Sequence, residues 1–211
     1  MTIPLASFLT VWAILALNIL SPGPNVLNTI TTAMGSGRPA GLASAAAVGI
    51  GIALWCLVTS LGLTALFLVL PGAELALTLV ACCLLVWFAS RFLRRALTRK
   101  VGTLRERRGD TLASSFLRSL SVNATNPKAL TTWVAILGIF PTAEAGAADI
   151  ALLTVGASAL SVSIHTCYAL LFSTQGAARA WLKASHVIEG ATGLFFLGFA
   201  AKLAFGAIAG P

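Results

Sequence analysis

Two proline motifs half a chain apart restrict what this sequence can become. Ser21-Pro22-Gly23-Pro24-Asn25 interrupts the first long apolar run, and Asn126-Pro127-Lys128 interrupts the fourth, 105 positions later in a chain of 211 residues. Proline inside a helix removes a backbone donor and crowds the preceding turn, so each motif is expected to break its helix. Such breaks matter here because the runs are long enough to lie in lipid. The chain is 58% hydrophobic and 9% charged, and its mean hydropathy is +0.94, values foreign to a soluble domain of this size. A bare backbone group in hydrocarbon must be met by protein or by a polar cavity. Broken helices at matching positions of two halves therefore point to a transport site.

A span needs roughly 20 apolar residues, and the spacing of the polar connections predicts six of them. The reading is an all-α, polytopic membrane protein whose first span (about Leu5 to Met34) and fourth span (about Thr111 to Phe140) are broken. The others are expected at about Ala40 to Val69, Ala73 to Phe92, Ile150 to Ser173 and Val187 to Ile208. The stretch from Ile3 to Leu20 has the length of a signal sequence, but no Lys or Arg precedes it and no cleavage site follows, so it is read as a retained span. The second span is crowded with Gly41, Ala43, Ser44, Ala45, Ala46, Ala47, Gly49 and Gly51, which lets membrane helices approach closely.

The formal charge of +8 is explained by topology better than by nucleic acid. Arg91, Arg94, Arg95, Arg99, Lys100, Arg105, Arg107, Arg108 and Arg118 crowd one connection, as a cytoplasmic loop requires. With that loop inside, Arg38, Arg179 and Lys183 also fall inside. The turns at Pro71 and Glu144 fall outside, and so do both termini. Residues 1–95 then form one three-helix repeat, 96–110 the basic loop and 111–211 a second repeat. Three spans per half make the two repeats inverted, and the loop can touch anionic headgroups.

At the breaks, Asn126 is expected to cap a half-helix that begins at Pro127, and Gly23-Pro24 to start another. Two half-helix amino termini would bring unpaired amides and partial positive charge together, a setting for an anion. Lys128 opposes that dipole and costs roughly 3 kcal/mol or more inside a span. It is therefore read as a grip on a substrate carboxylate or a proton carrier; the plain alternative is snorkelling to an interface. Ser21, Asn25, Asn28 and Asn123 add neutral polar groups, and freed carbonyls can receive an ammonium group, which together suit a zwitterion such as an amino acid. For each asparagine alone, capping or interhelical bonding is an equal reading. His165 is either a proton relay or a satisfied interhelical histidine. His186 and Glu189 are expected near the start of the last span as boundary residues.

These residues match a known pattern. Ser21 to Asn25, the Arg38 turn into a glycine-rich second span, Asn126-Pro127-Lys128-Ala129 and the Gly190 to Gly198 stretch resemble the LysE/RhtB family of bacterial amino-acid exporters. The resemblance covers nearly the whole chain. It implies a six-helix protein of the inner membrane, a homodimer, exporting amino acids with coupling to the proton gradient and without a cofactor. Carried over by position, it implies a substrate site of Ser21, Pro22, Gly23, Pro24, Asn25, Asn126, Pro127 and Lys128. Many relatives have an acidic or polar residue where this chain reads Ile52 after Gly51. Its loss favours a neutral substrate such as threonine, homoserine or a branched-chain amino acid.

Rival functions have less support. A thiol-disulfide carrier would place cysteines beside the prolines, whereas Cys56, Cys82, Cys83 and Cys167 lie elsewhere and without CxxC spacing. A metal exporter would cluster ligands in the spans. An enzyme would show HExxH, paired carboxylates or a serine–lysine dyad. A structural scaffold would need neither break.

Overall fold

The computed structural model describes residues 2–70, 73–98 and 108–209, and all of its regular structure is helical. The turn at Pro71-Gly72 and the loop positions Arg99, Lys100, Arg105 and Arg107 lie outside the described residues. The elements are α1 (Leu5–Leu20), α2 (Pro24–Ser36), α3 (Arg38–Val69), α4 (Ala73–Thr98), α5 (Leu112–Ala124), α6 (Pro127–Leu137), α7 (Ala147–Leu171) and α8 (Gln175–Ala209). Both proline motifs break their helices. The axes of α1 and α2 diverge by 53°, and two residues, Thr125 and Asn126, separate the end of α5 from Pro127, which opens α6.

Within α3, α4, α7 and α8 lie four stretches long and apolar enough to cross a membrane, and the bent α1–α2 pair makes a fifth. The α5–α6 pair is not among them, and it carries Arg118, Asn123, Asn126 and Lys128. The protein is thus a multi-pass membrane protein. Aliphatic side chains point outward along these helices, including Leu54, Val58 and Leu61 of α3, Leu75 and Leu79 of α4, and Val187 and Leu194 of α8.

The most extensive pairings are α4 with α8 and α3 with α7, with α5 laid against α3. Small residues permit this contact. A Cβ on Gly49 would come within 2.2 Å of Val162 Cγ2, and one on Gly51 within 2.3 Å of Asn123 Oδ1. Gly37, at φ 85°, makes the sharp link between α2 and α3. At the other end, the Asp149 carboxylate accepts bonds from the Gly146 and Thr2 amides (3.1 and 3.2 Å) and the Thr2 hydroxyl (2.6 Å), tying the start of α1 to that of α7.

Some expectations from the sequence need correction. Arg179 and Lys183 belong to α8, which starts at Gln175, because no breaker separates them from the apolar run; Arg179 Nη2 donates to Gln175 Oε1 one turn back (2.7 Å). Glu189 consequently lies well inside α8 and is buried. Arg118 is not a loop residue. It sits on α5, where its guanidinium bonds Asp110 (2.6 Å), Thr32 Oγ1 (3.0 Å) and Asn28 Oδ1 (3.3 Å). Asn28 in turn donates to Ser119 Oγ (2.7 Å), which donates to Ser44 Oγ (2.7 Å), so one polar network joins α2, α3 and α5.

Candidate functional site

A proline at position i leaves the carbonyl at i−4 without its helical partner. Pro22, Pro24 and Pro127 therefore orphan the carbonyls of Asn18, Leu20 and Asn123. Each is met by a side chain from a different part of the chain. Lys128 Nζ donates to Asn18 O (2.8 Å), Tyr168 Oη to Leu20 O (3.0 Å) and Trp55 Nε1 to Asn123 O (3.3 Å). Lys128 Nζ also donates to Ser21 O (3.1 Å), and Arg95 Nη1 to Pro22 O (3.3 Å). Unpaired backbone groups buried away from water cost free energy, which explains why polar and charged donors are drawn into so apolar a chain.

The two breaks meet face to face. A Cβ built on Gly23 would lie 3.2 Å from both Cδ and Nζ of Lys128, so the lysine stem lies flat on the first break. Its ammonium sits at the carboxyl end of α1, where the helix dipole is negative, and 5.4 Å from the centre of the Phe92 ring. At the second break the Asn126 side chain accepts from the Lys128 amide (3.0 Å), with Pro127 as the first helical residue, the cap expected from the sequence. Gly23 and Pro24 start α2 without a side-chain cap.

Two adjoining cavities surround this contact. The inner one has about 30 Å³ of room for water centres and is lined by Asn18, Ser21, Gly23, Asn25, Asn126, Lys128, Thr132, Trp133 and His165, with Leu15, Ile19, Val26, Val48, Ile52 and Ala129. The outer, larger one, about 370 Å³, is lined by Pro22, Gly23, Pro24, Asn126, Pro127 and Lys128 together with Trp87, Phe88, Arg91, Phe92 and Arg95. All eight substrate-site residues named from the sequence, and His165, therefore border one cavity or the other. Cys56 is buried and receives the Thr154 hydroxyl (3.2 Å); no cysteine lines either cavity.

Five residues of the inner lining carry a buried polar atom that makes no hydrogen bond in the structure. These atoms are Asn18 Nδ2, Ser21 Oγ, Asn25 Oδ1, Trp133 Nε1 and His165 Nε2. Buried polar atoms are nearly always paired, so such a concentration marks a place where something else makes the bonds. His165 is held by its other nitrogen, Nδ1, 2.9 Å from Ser161 O.

Nothing in the sequence singles out Tyr168 or Trp55, while Arg95 reads there as one charge of the basic connection and Glu189 as a boundary residue or a coupling carboxylate. The Glu189 carboxylate lies 3.8 Å from the Arg95 guanidinium, so α8 reaches the first break through α4. The arithmetic of proline, an orphan four residues back, is the signal by which such donors are sought.

A bundle of membrane helices in which two proline-broken helix pairs meet around a polar cavity has the form of a transporter rather than an enzyme. The chain belongs to the LysE type translocator family, whose pattern it matches over residues 16–207. It is similar to the leucine efflux protein of Enterobacter sp. (strain 638), 29% identical over 191 residues, covering 88% of this chain and 89% of the relative. It is also similar to the threonine efflux protein of Salmonella typhi, 26% identical over 202 residues, covering 93% and 96%. No solved structure matches the chain.

Proposed function

We propose that this protein exports neutral amino acids across the bacterial inner membrane, binding them where the two breaks meet. The observation that carries this reading is the set of five unpaired buried polar atoms around one cavity at that junction. Donors and acceptors are both present, as a zwitterion requires. Among the described residues no carboxylate lines the inner cavity, and Leu15, Ile19, Val26, Val48 and Ile52 supply an apolar wall, which suits an uncharged side chain. The names of the leucine and threonine efflux relatives fit the same class. As it stands the inner cavity has space for about two waters, so loading requires the breaks to part, with the outer cavity as the approach.

The six-span inverted-repeat plan, with halves at 1–95 and 111–211, belongs to this reading. It draws support from the pairing of α3 with α7 and α4 with α8, and from crossed donors: Trp55 of α3 serves the second break and Tyr168 of α7 the first. Lys128 and His165, both on the inner cavity, are the groups proposed to carry protons. The homodimer and the cytoplasmic position of the basic loop rest on the family resemblance and on charge placement. Cross-linking in membranes and reporter fusions near Thr103 check them.

The test is counterflow in proteoliposomes with a panel of labelled amino acids, with and without a pH gradient, for the wild type and Lys128→Ala. Exchange of a neutral amino acid is expected, driven by the gradient and reduced about tenfold or more by Lys128→Ala, the size of a lost hydrogen bond to a charged group. No exchange of any amino acid would refute the substrate class. Wild-type exchange by a normally inserted Lys128→Ala protein would remove the lysine from the mechanism.

A further inference from the structure

The sequence suggests that Lys128 grips the carboxylate of a solute while freed carbonyls take its ammonium. The structure has those carbonyls already taken, by Lys128 itself. We infer that the Lys128 ammonium is a tethered substitute for the substrate ammonium, seated on the Asn18 and Ser21 carbonyls until a substrate amine displaces it.

The seat is built for a primary ammonium. Pro22 cannot donate to Asn18 O, so this acceptor is permanently free of the helix. Asn18 O and Ser21 O lie 2.8 and 3.1 Å from Nζ at the negative end of α1. The Phe92 ring closes one side, 5.4 Å away, as an aromatic face suited to a cation. An ammonium carries three N–H donors, and Ser21 Oγ and Asn25 Oδ1 are unpaired oxygens on the same cavity. The lysine reaches this seat from the opposite break, flat against Gly23, and its departure would separate the two breaks.

Exchange then follows from charge. A solute ammonium arriving at the seat replaces Lys128 like for like, and no bond is left unmade. The released lysine becomes the partner of the solute carboxylate in the space it vacates. Seating a second cation without removing the first would place two positive charges within a few ångströms, and their repulsion is strong where water is excluded. Occupation of the seat and opening of the lysine contact are therefore one event, and an amine alone or a carboxylate alone performs only half of it.

This deepens the amino-acid reading, and single-group fragments test it separately. Binding of isobutylammonium and of isovalerate to purified protein is measured by calorimetry for the wild type, Lys128→Met and Lys128→Gln. In Lys128→Met the vacated seat is expected to bind isobutylammonium about tenfold more tightly than in the wild type, while isovalerate binding falls about tenfold. Lys128→Gln, which keeps an N–H donor without the charge, is expected to lie between. Elution and thermal unfolding in detergent report folding. If Lys128→Met does not fold, a gain in amine affinity by Lys128→Gln supports the proposal and unchanged or weaker amine binding overturns it. In Lys128→Met the same two outcomes decide. A wild type that binds no amino acid, beside a Lys128→Met protein that gains the amine, would sink the substrate class and leave the seat.

Discussion

The two breaks use the same residue for opposite ends. At the second, repair is mostly local: Asn126 caps the Lys128 amide, the Asn126 amide returns to Asn123 O (3.2 Å), and the Thr125 amide to Ser121 O (3.0 Å). At the first, the orphaned carbonyls are met from afar, by Lys128, Tyr168 and Arg95, and α2 starts without a side-chain cap. A joint closed by its own neighbours holds its shape whatever else moves. One closed by side chains from other helices opens when they leave, so the first break is expected to be the movable partner and the second the fixed arm that carries the lysine.

The sharpest way to break this comparison is Pro22→Ala. It restores an N–H four residues after Asn18, so the helix itself can satisfy that carbonyl and Lys128 loses its shortest bond. Efflux is expected to fall about tenfold or more, with thermal stability in detergent unchanged or raised, since proline inside a helix is costly. Unchanged efflux would mean that the orphaned carbonyl serves only structure.

Tyr168→Phe comes next and is read on stability. Leu20 O then has no donor, and an unpaired buried acceptor costs about 1–3 kcal/mol, seen as a lower unfolding temperature. Full stability would show that Leu20 O finds water or another donor and that the first break does not depend on distant residues.

How much of this was legible before the structure depends on how local the physics is. The breaks, the Asn126 cap and the close-packing glycines were readable because proline geometry, capping and side-chain size act within a few residues. The orphaned carbonyls were implied as well. Their donors were not, since nothing in sequence spacing says that Tyr168 or Trp55 arrives at a given break. Arg118 was misread for a related reason: charge suggests a loop until Asp110, Thr32 and Asn28 are found around it, and those contacts span up to 90 positions. Arg179 and Lys183 precede the apolar run expected from about Val187, where hydropathy is low, although a helix needs only unbroken backbone bonding, and α8 has it from Gln175. Among the described residues five stretches satisfy length and apolarity; the α5–α6 pair does not, and its Lys128 and Thr132 border the inner cavity.

The smallest effect sharpens the comparison from the other side. Trp55→Phe removes the indole donor from Asn123 O, the counterpart of the Tyr168 bond, yet that carbonyl still accepts the Asn126 amide at 3.2 Å. It is not left bare, so the loss is expected to be that of one ordinary hydrogen bond, about 1 kcal/mol or less. The phenyl ring keeps most of the indole's packing on α3. If both phenylalanine variants destabilise equally, the second break is no more self-contained than the first, and the distinction between a fixed and a movable joint falls. A cost for Tyr168→Phe at least twice that for Trp55→Phe would place the flexible joint between α1 and α2.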